Sequence, residues 1–135
     1  MRWIGQKNPG ENGLLCVASL LSYHNVKYNI KKFRKLYPQF SEGITLRGLM
    51  DLLLVHGIQS RPLSCPAQEI DKLKRPCILH WNMHQFVVLT EINEDIFHIY
   101  DPASRRSLYT REDFECNFSE VALEIYSKPQ YKEDP

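Results

Sequence analysis

Apolar positions recur at helical spacing in the first half of the chain and as short strand-like runs in the second. Leu14, Val17, Ala18 and Leu21 fall at i, i+3, i+4 and i+7, which predicts a helix from about Asn12 to Tyr23. Ile30, Phe33 and Tyr37 repeat the pattern in NIKKFRKLYP, and Pro38 stops it. A third helix starts after Thr45, a good N-cap, with Ile44 and Leu49 at the two positions of a hydrophobic staple. Leu46, Leu49, Met50, Leu53 and Leu54 form its apolar stripe, and Gly57 ends it. PAQEIDKLK predicts a short fourth helix. Beyond it, PCILHW, QFVVLTEI, DIFHIYD and EVALEIYS are rich in Val, Ile, Phe and Tyr and are bounded by Pro, Asn and Asp, as strands are. The polar block Asn93-Glu94-Asp95 predicts a three-residue loop between two of them. Helices first and strands second make an α+β domain, with the helices on one face of a mostly antiparallel sheet.

A chain of 135 residues suits one core. Residues 1–127 read as the domain, and the polar, proline-bearing 128–135 as a linker or tail. The net charge of +1, with no basic stripe, gives no footprint for nucleic acid. Lys31-Lys32 and Arg105-Arg106 read as solvated surface. No apolar run approaches the roughly 20 residues that span a bilayer, and MRWIGQ lacks the apolar segment of a signal peptide. Cys16, Cys65, Cys77 and Cys116 form no Cys-x-x-Cys pair and no zinc spacing with His, so no metal is expected and a reducing compartment is the simpler setting. No P-loop or other cofactor motif is present, so these residues do not hydrolyse ATP themselves.

GQKNPGENGLLCVASLLSYHN, Gly5 to Asn25, carries the chemistry worth weighing: a polar loop running into an apolar helix that holds a cysteine. Papain-like cysteine peptidases place the nucleophile at the mouth of such a helix, where the dipole and a nearby His lower the thiol pKa. The His and its orienting carboxylate come from the sheet, and an upstream side-chain amide donates to the oxyanion. Here the sequence resembles the bacteriocin-processing, or double-glycine leader, cysteine peptidase domain found at the cytosolic N-terminus of certain bacterial ABC exporters. Three stretches carry the resemblance. Q…ENGLLCVASLLSYHN matches a Gln followed by a pattern like ECGLACLAMIxxYHG, LHWNMHQFVVL matches LHWxxNHFVVL, and YDPAS matches a strand ending in DPA. The likeness covers nearly the whole chain and implies a papain-like fold.

Carried over residue by residue, the resemblance puts the oxyanion Gln on Gln6 and the orienting Asp on Asp101. It puts the nucleophile on Asn12 and the catalytic His on Gln85. An amide cannot replace a thiolate, and Gln is no general base near neutral pH. Cys16 matches the family's second cysteine, a packing position. A rescue through Cys16, His84 or His80, and Asp101 meets two obstacles. Cys16 lies about one turn, roughly 6 Å, further into the helix, among Val17 and Leu20, where burial raises a thiol pKa. His84 and Gln85 point to opposite faces of a regular strand, and a three-residue loop at Asn93–Asp95 puts Gln85, not His84, on the face of Asp101; a bulge would reverse this. Without the family, Asp101 before Pro102 is a strand-ending turn residue, Gln6 an ordinary loop residue, and His24 and His98 have no visible partners.

Three functions follow. The first is a non-catalytic domain that docks a peptide or protein cargo, with Trp81, Met83, Phe86 and Tyr100 as candidate lining, each equally a core residue. The resemblance implies a cytoplasmic domain of an inner-membrane transporter, with that transporter's transmembrane and nucleotide-binding domains as partners. The second is an active cysteine peptidase cleaving leaders through Cys16, His84 and Asp101. The third is a free-standing peptide-binding protein, which a reading frame continuing past Pro135 into transmembrane helices and a nucleotide-binding cassette would exclude.

Overall fold

The computed structural model describes residues 9–37 and 43–127. Gln6, Pro38 and the expected tail 128–135 lie outside the described residues. A 3-10 turn, Pro9–Glu11, leads into α1 (Asn12–Tyr23). Asn29 caps α2 (Ile30–Leu36) by accepting from the Lys32 N–H, and Thr45 caps α3 (Leu46–Val55) by accepting from the Gly48 N–H. The buried stripe of α3 is Leu49, Leu52 and Leu53. Leu54, expected inside, is more than half exposed, and Leu52 takes the core position instead.

Six strands follow: β1 (Gln59–Ser64), β2 (Cys77–Trp81), β3 (Gln85–Asn93), β4 (Ile96–Asp101), β5 (Arg105–Thr110) and β6 (Phe118–Ser127). They form one sheet in the order β1-β6-β2-β3-β4-β5, each neighbouring pair antiparallel. The edge strands β1 and β5 were not expected from the pattern, because their residues are mostly exposed or half-buried and show no apolar run. Pro62 suits β1 to an edge, where a missing N–H costs no ladder bond. PAQEIDKLK is not an α-helix but a 3-10 segment, Ala67–Lys72. Between β5 and β6 lies α4 (Arg111–Asn117), capped by Thr110, too short and too sparsely buried to show a period.

The expectation that helices cover one face needs correction. Ile78, Val88, Tyr100 and Leu123 pack under α1, α2 and α3, as expected. The opposite face is covered too: Leu79, Trp81, Val87, Leu89, Phe97 and Ile99 pack with Ile70 of the 3-10 segment and Phe114 of α4. Arg111 pins that layer, bonding both Asp71 and Asp95 from above the Phe97 ring. Two hydrogen bonds steady the turn between β2 and β3: the Met83 N–H donates to Ser119 Oγ (2.7 Å) and the Asn82 N–H to the Asn117 carbonyl (2.8 Å). No described helix is long and apolar enough to cross a membrane.

Candidate functional site

The mouth of α1 meets the start of β3. Asn12, first residue of α1, is 6 % exposed, and its Oδ1 accepts from the Phe86 backbone N–H. One turn deeper, the Cys16 thiol donates to the Phe86 carbonyl (3.4 Å). Helix spacing explains the pair: residues i and i+4 stand one above the other on the same face. The sheet explains why both backbone groups of Phe86 bond to α1. The last β3–β4 rung is Val88↔Tyr100, and β4 ends at Asp101 before Pro102, which has no N–H to offer. Side chains of α1 therefore serve the backbone groups of Phe86.

Gln85 is next along the chain. Its Nε2 donates to Asp101 Oδ2 at 3.4 Å, while Asp101 Oδ1 accepts the Ala103 N–H at 2.8 Å. Asp101 is thus both the turn residue its Asp-Pro sequence suggests and a partner of Gln85. The two share a face, as expected, but not for the expected reason. The β3–β4 turn has two residues, Glu94 and Asp95, both at positive φ, as a two-residue hairpin of this hand requires. An even loop alone would have put His84 with Asp101. A register shift between Leu89 and Glu91 inserts one residue into β3 and restores Gln85.

The rescue set is not assembled. Cys16 is fully buried, and burial, followed by the charge of Asp101, pushes its thiol pKa well above the ordinary value. Among the described residues its thiol bonds the Phe86 carbonyl. His84 is exposed in the turn, its Nδ1 2.6 Å from the Asn82 carbonyl. The His80 ring lies tilted against the Phe86 ring, centroids 5.3 Å apart, and partial burial, then His84, lowers its pKa. Of the expected lining residues, Trp81 and Tyr100 are core, on opposite faces of the sheet. Met83 is largely exposed at a positive φ in the turn, and Phe86 packs partly buried on the helix side. His98, without a visible partner in sequence, lies 3.6 Å from Glu91. No cluster of His, Cys, Asp and Glu among the described residues could hold a metal ion.

Two features of the helix mouth were not legible beforehand. Glu11, 5 % exposed, holds Arg34 of α2 through two hydrogen bonds of 2.9 and 3.1 Å, a link across 23 residues with no local signal. Gly13 lets Ile44 close over the mouth: a Cβ there would sit 2.2 Å from Ile44 Cγ2 and 3.1 Å from Leu49 Cδ2. Gly13→Ala is therefore expected to destabilise the fold. The gain in helix propensity, at most about 1 kcal/mol, is smaller than the roughly 1–3 kcal/mol of overpacking. Thermal melts should show a loss of several degrees; an unchanged or higher Tm would mean that Ile44 moves aside freely.

The comparisons with known proteins agree with this architecture. The model of the family described as "Peptidase C39 family" matches residues 1–130. The chain is 30 % identical over 137 residues to the "Probable microcin-H47 secretion/processing ATP-binding protein MchF" of Escherichia coli, covering 97 % of this chain and 20 % of that one. It is 29 % identical over 140 residues to the "Colicin V secretion/processing ATP-binding protein CvaB" of the same organism, covering 99 % and 20 %. The chain thus spans about a fifth of the length of these relatives. Among solved structures it superposes with a TM-score of 0.86, at 24 % identity, on a double glycine motif protease from an AMS/PCAT transporter crystallised with a leader peptide, covering 96 % of this chain and 91 % of that one. That likeness carries the fold, helices packed on an antiparallel sheet in the papain-like manner. This chain belongs to the Peptidase C39 family.

Proposed function

We propose that this domain has lost peptidase chemistry and serves as a binding domain, docking an extended peptide or protein cargo for an ATP-driven exporter on the cytoplasmic side of a membrane. One observation carries the reading. At the mouth of α1, against the start of β3, stands Asn12 with its amide oxygen committed to the Phe86 N–H, and the residue beside Asp101 is Gln85. Neither side chain is a nucleophile or a base near neutral pH. The exporter setting is supported by relatives named for secretion and processing, and the peptide nature of the cargo by the leader peptide held by the structural neighbour. Transmembrane and nucleotide-binding domains are then its partners, and the domain itself needs no cofactor. A peptidase acting through Cys16, His84 and Asp101 is not favoured, because the Cys16 thiol is buried, engaged with a carbonyl and shifted away from its ionised form.

Thiol alkylation tests the loss of chemistry. With iodoacetamide at pH 7, mass spectrometry should find the exposed Cys116 modified within minutes and the buried Cys16 unmodified until the protein is unfolded. Rapid, pH-dependent modification of Cys16 in the folded protein would overturn the reading.

A further inference from the structure

We infer that α2 is a docking face for an anionic membrane surface: Lys27, Lys31, Lys32 and Lys35 meet the lipid headgroups, and Leu36 dips between them. This interaction goes beyond cargo binding and is read independently of it, with no peptide present.

The net charge of +1 conceals an uneven distribution. Between Glu11 and Glu42 the sequence carries five basic residues, Lys27, Lys31, Lys32, Arg34 and Lys35, and no acidic one, so the remainder is net negative. Helix geometry sorts them. Ile30, Phe33 and Tyr37 turn toward the core, and the buried Phe33 ring lies 5.5, 5.8 and 5.3 Å from those of Tyr28, Tyr37 and His56. Arg34 is held by Glu11. At about 100° per residue, Lys31, Lys32, Lys35 and Leu36 share the opposite arc. All four are exposed, Leu36 at 57 %. Lys27 is exposed two residues before the Asn29 cap. Among the described residues no carboxylate pairs with any of the four lysines.

The chemistry of the arc selects the anion. Lysines are compact charges on flexible stems, suited to a crowd of headgroups in no fixed pattern. The arc carries no arginine fork and no exposed ring, the groups that clasp phosphates in pairs and stack on bases. Leu36 sits among the lysines, and an apolar side chain in that company fits the boundary between headgroups and acyl chains better than an acidic polypeptide. The net-negative remainder is repelled by the same surface, which gives the contact one orientation. Glu11 directly precedes Asn12, so its bond to Arg34 holds the mouth of α1 at a fixed place relative to the docked face.

The test is co-sedimentation of the 135-residue chain with large vesicles. Vesicles of about 30 % phosphatidylserine in phosphatidylcholine should bind it, and pure phosphatidylcholine vesicles should not. Raising the salt from about 0.1 M to about 0.5 M should release it. Each lysine contributes about fivefold to such partitioning. Lys31→Gln with Lys35→Gln should therefore weaken binding about 25-fold, with the melting temperature unchanged because both side chains are exposed and unpaired. Lys72→Gln with Lys74→Gln removes the same charge in and just after the 3-10 segment on the other face of the sheet, and should change binding less than about twofold. Leu36→Ser should weaken binding several-fold at unchanged charge. Failure to bind the anionic vesicles, equal binding to the neutral ones, or equal losses from the two lysine pairs would overturn the docking face. Preference for poly-glutamate over the anionic vesicles would make the partner an acidic polypeptide and overturn the membrane assignment. None of these outcomes bears on cargo binding, so the two readings fail separately.

Discussion

Replacing Asn12 with Cys and Gln85 with His together is expected to create a thiol that alkylates at pH 5.5 roughly twenty-fold faster than an ordinary cysteine. The geometry supplies every influence that acidifies a thiol. Position 12 is the first residue of α1, at the positive end of its dipole, and its side chain faces the start of β3. Position 85 lies against Asp101, whose carboxylate would keep an imidazole protonated and oriented. An ordinary thiol of pKa about 8.5 is about 0.1 % ionised at pH 5.5, whereas one lowered to about 6 is about a quarter ionised. The weaker nucleophilicity of the more acidic thiolate gives back about a factor of ten, leaving the stated advantage. Asn12→Cys alone is the control: without the imidazole its rate should fall about tenfold per pH unit below pH 8. Identical pH profiles for the single and double variants would show that position 85 does not reach position 12, and the geometric basis of the proposed function would fail with it.

Phe114→Ala is expected to be the most damaging single change on the far side of the sheet, costing about 3–5 kcal/mol. Phe114 is fully buried although α4 contributes little else to the core. Its ring stacks on Phe97 with centroids 4.2 Å apart, and Trp81 and Phe118 close around it at 5.6 and 5.2 Å. Three other aromatic rings thus pack against one side chain. A domain with a total stability of roughly 5–15 kcal/mol would lose a large share. Urea unfolding should show a marked drop in midpoint with little change in slope. Phe114→Leu, which keeps most of the volume, should cost far less. A loss below about 1 kcal/mol for the alanine variant would mean that the second layer contributes little and that α1 to α3 carry the fold.

The contrast between those two sites follows the legibility of the sequence. The helices under the Asn12 site announced themselves. α1 and α3 are long enough for apolar residues to recur at helical spacing, and Thr45 is a capping residue whose chemistry acts locally. The layer around Phe114 did not. A seven-residue helix with one buried side chain and two mostly exposed edge strands present no period to read. Leu54 shows the limit within a single element: it sits at a plausible stripe position, yet α3 packs through Leu49, Leu52 and Leu53 and leaves Leu54 outside.

Residue identity by itself determined that positions 12 and 85 hold an amide each, and amides ionise in no environment near neutral pH. That conclusion needs no coordinates, because it is a property of the functional group. What lies beside what was decided by tertiary structure alone. The two-residue turn at Glu94 and Asp95 would have paired Asp101 with the face of His84, and only the inserted residue in β3 returned Gln85 to it. Strand alternation has a period of two, so a single residue reverses every assignment beyond it, and a bulge is set by how two strands settle against each other. The hydrogen bond of Asn12 belongs to the same class, since it exists only because Phe86, 74 residues away, presents an N–H that β4 does not reach.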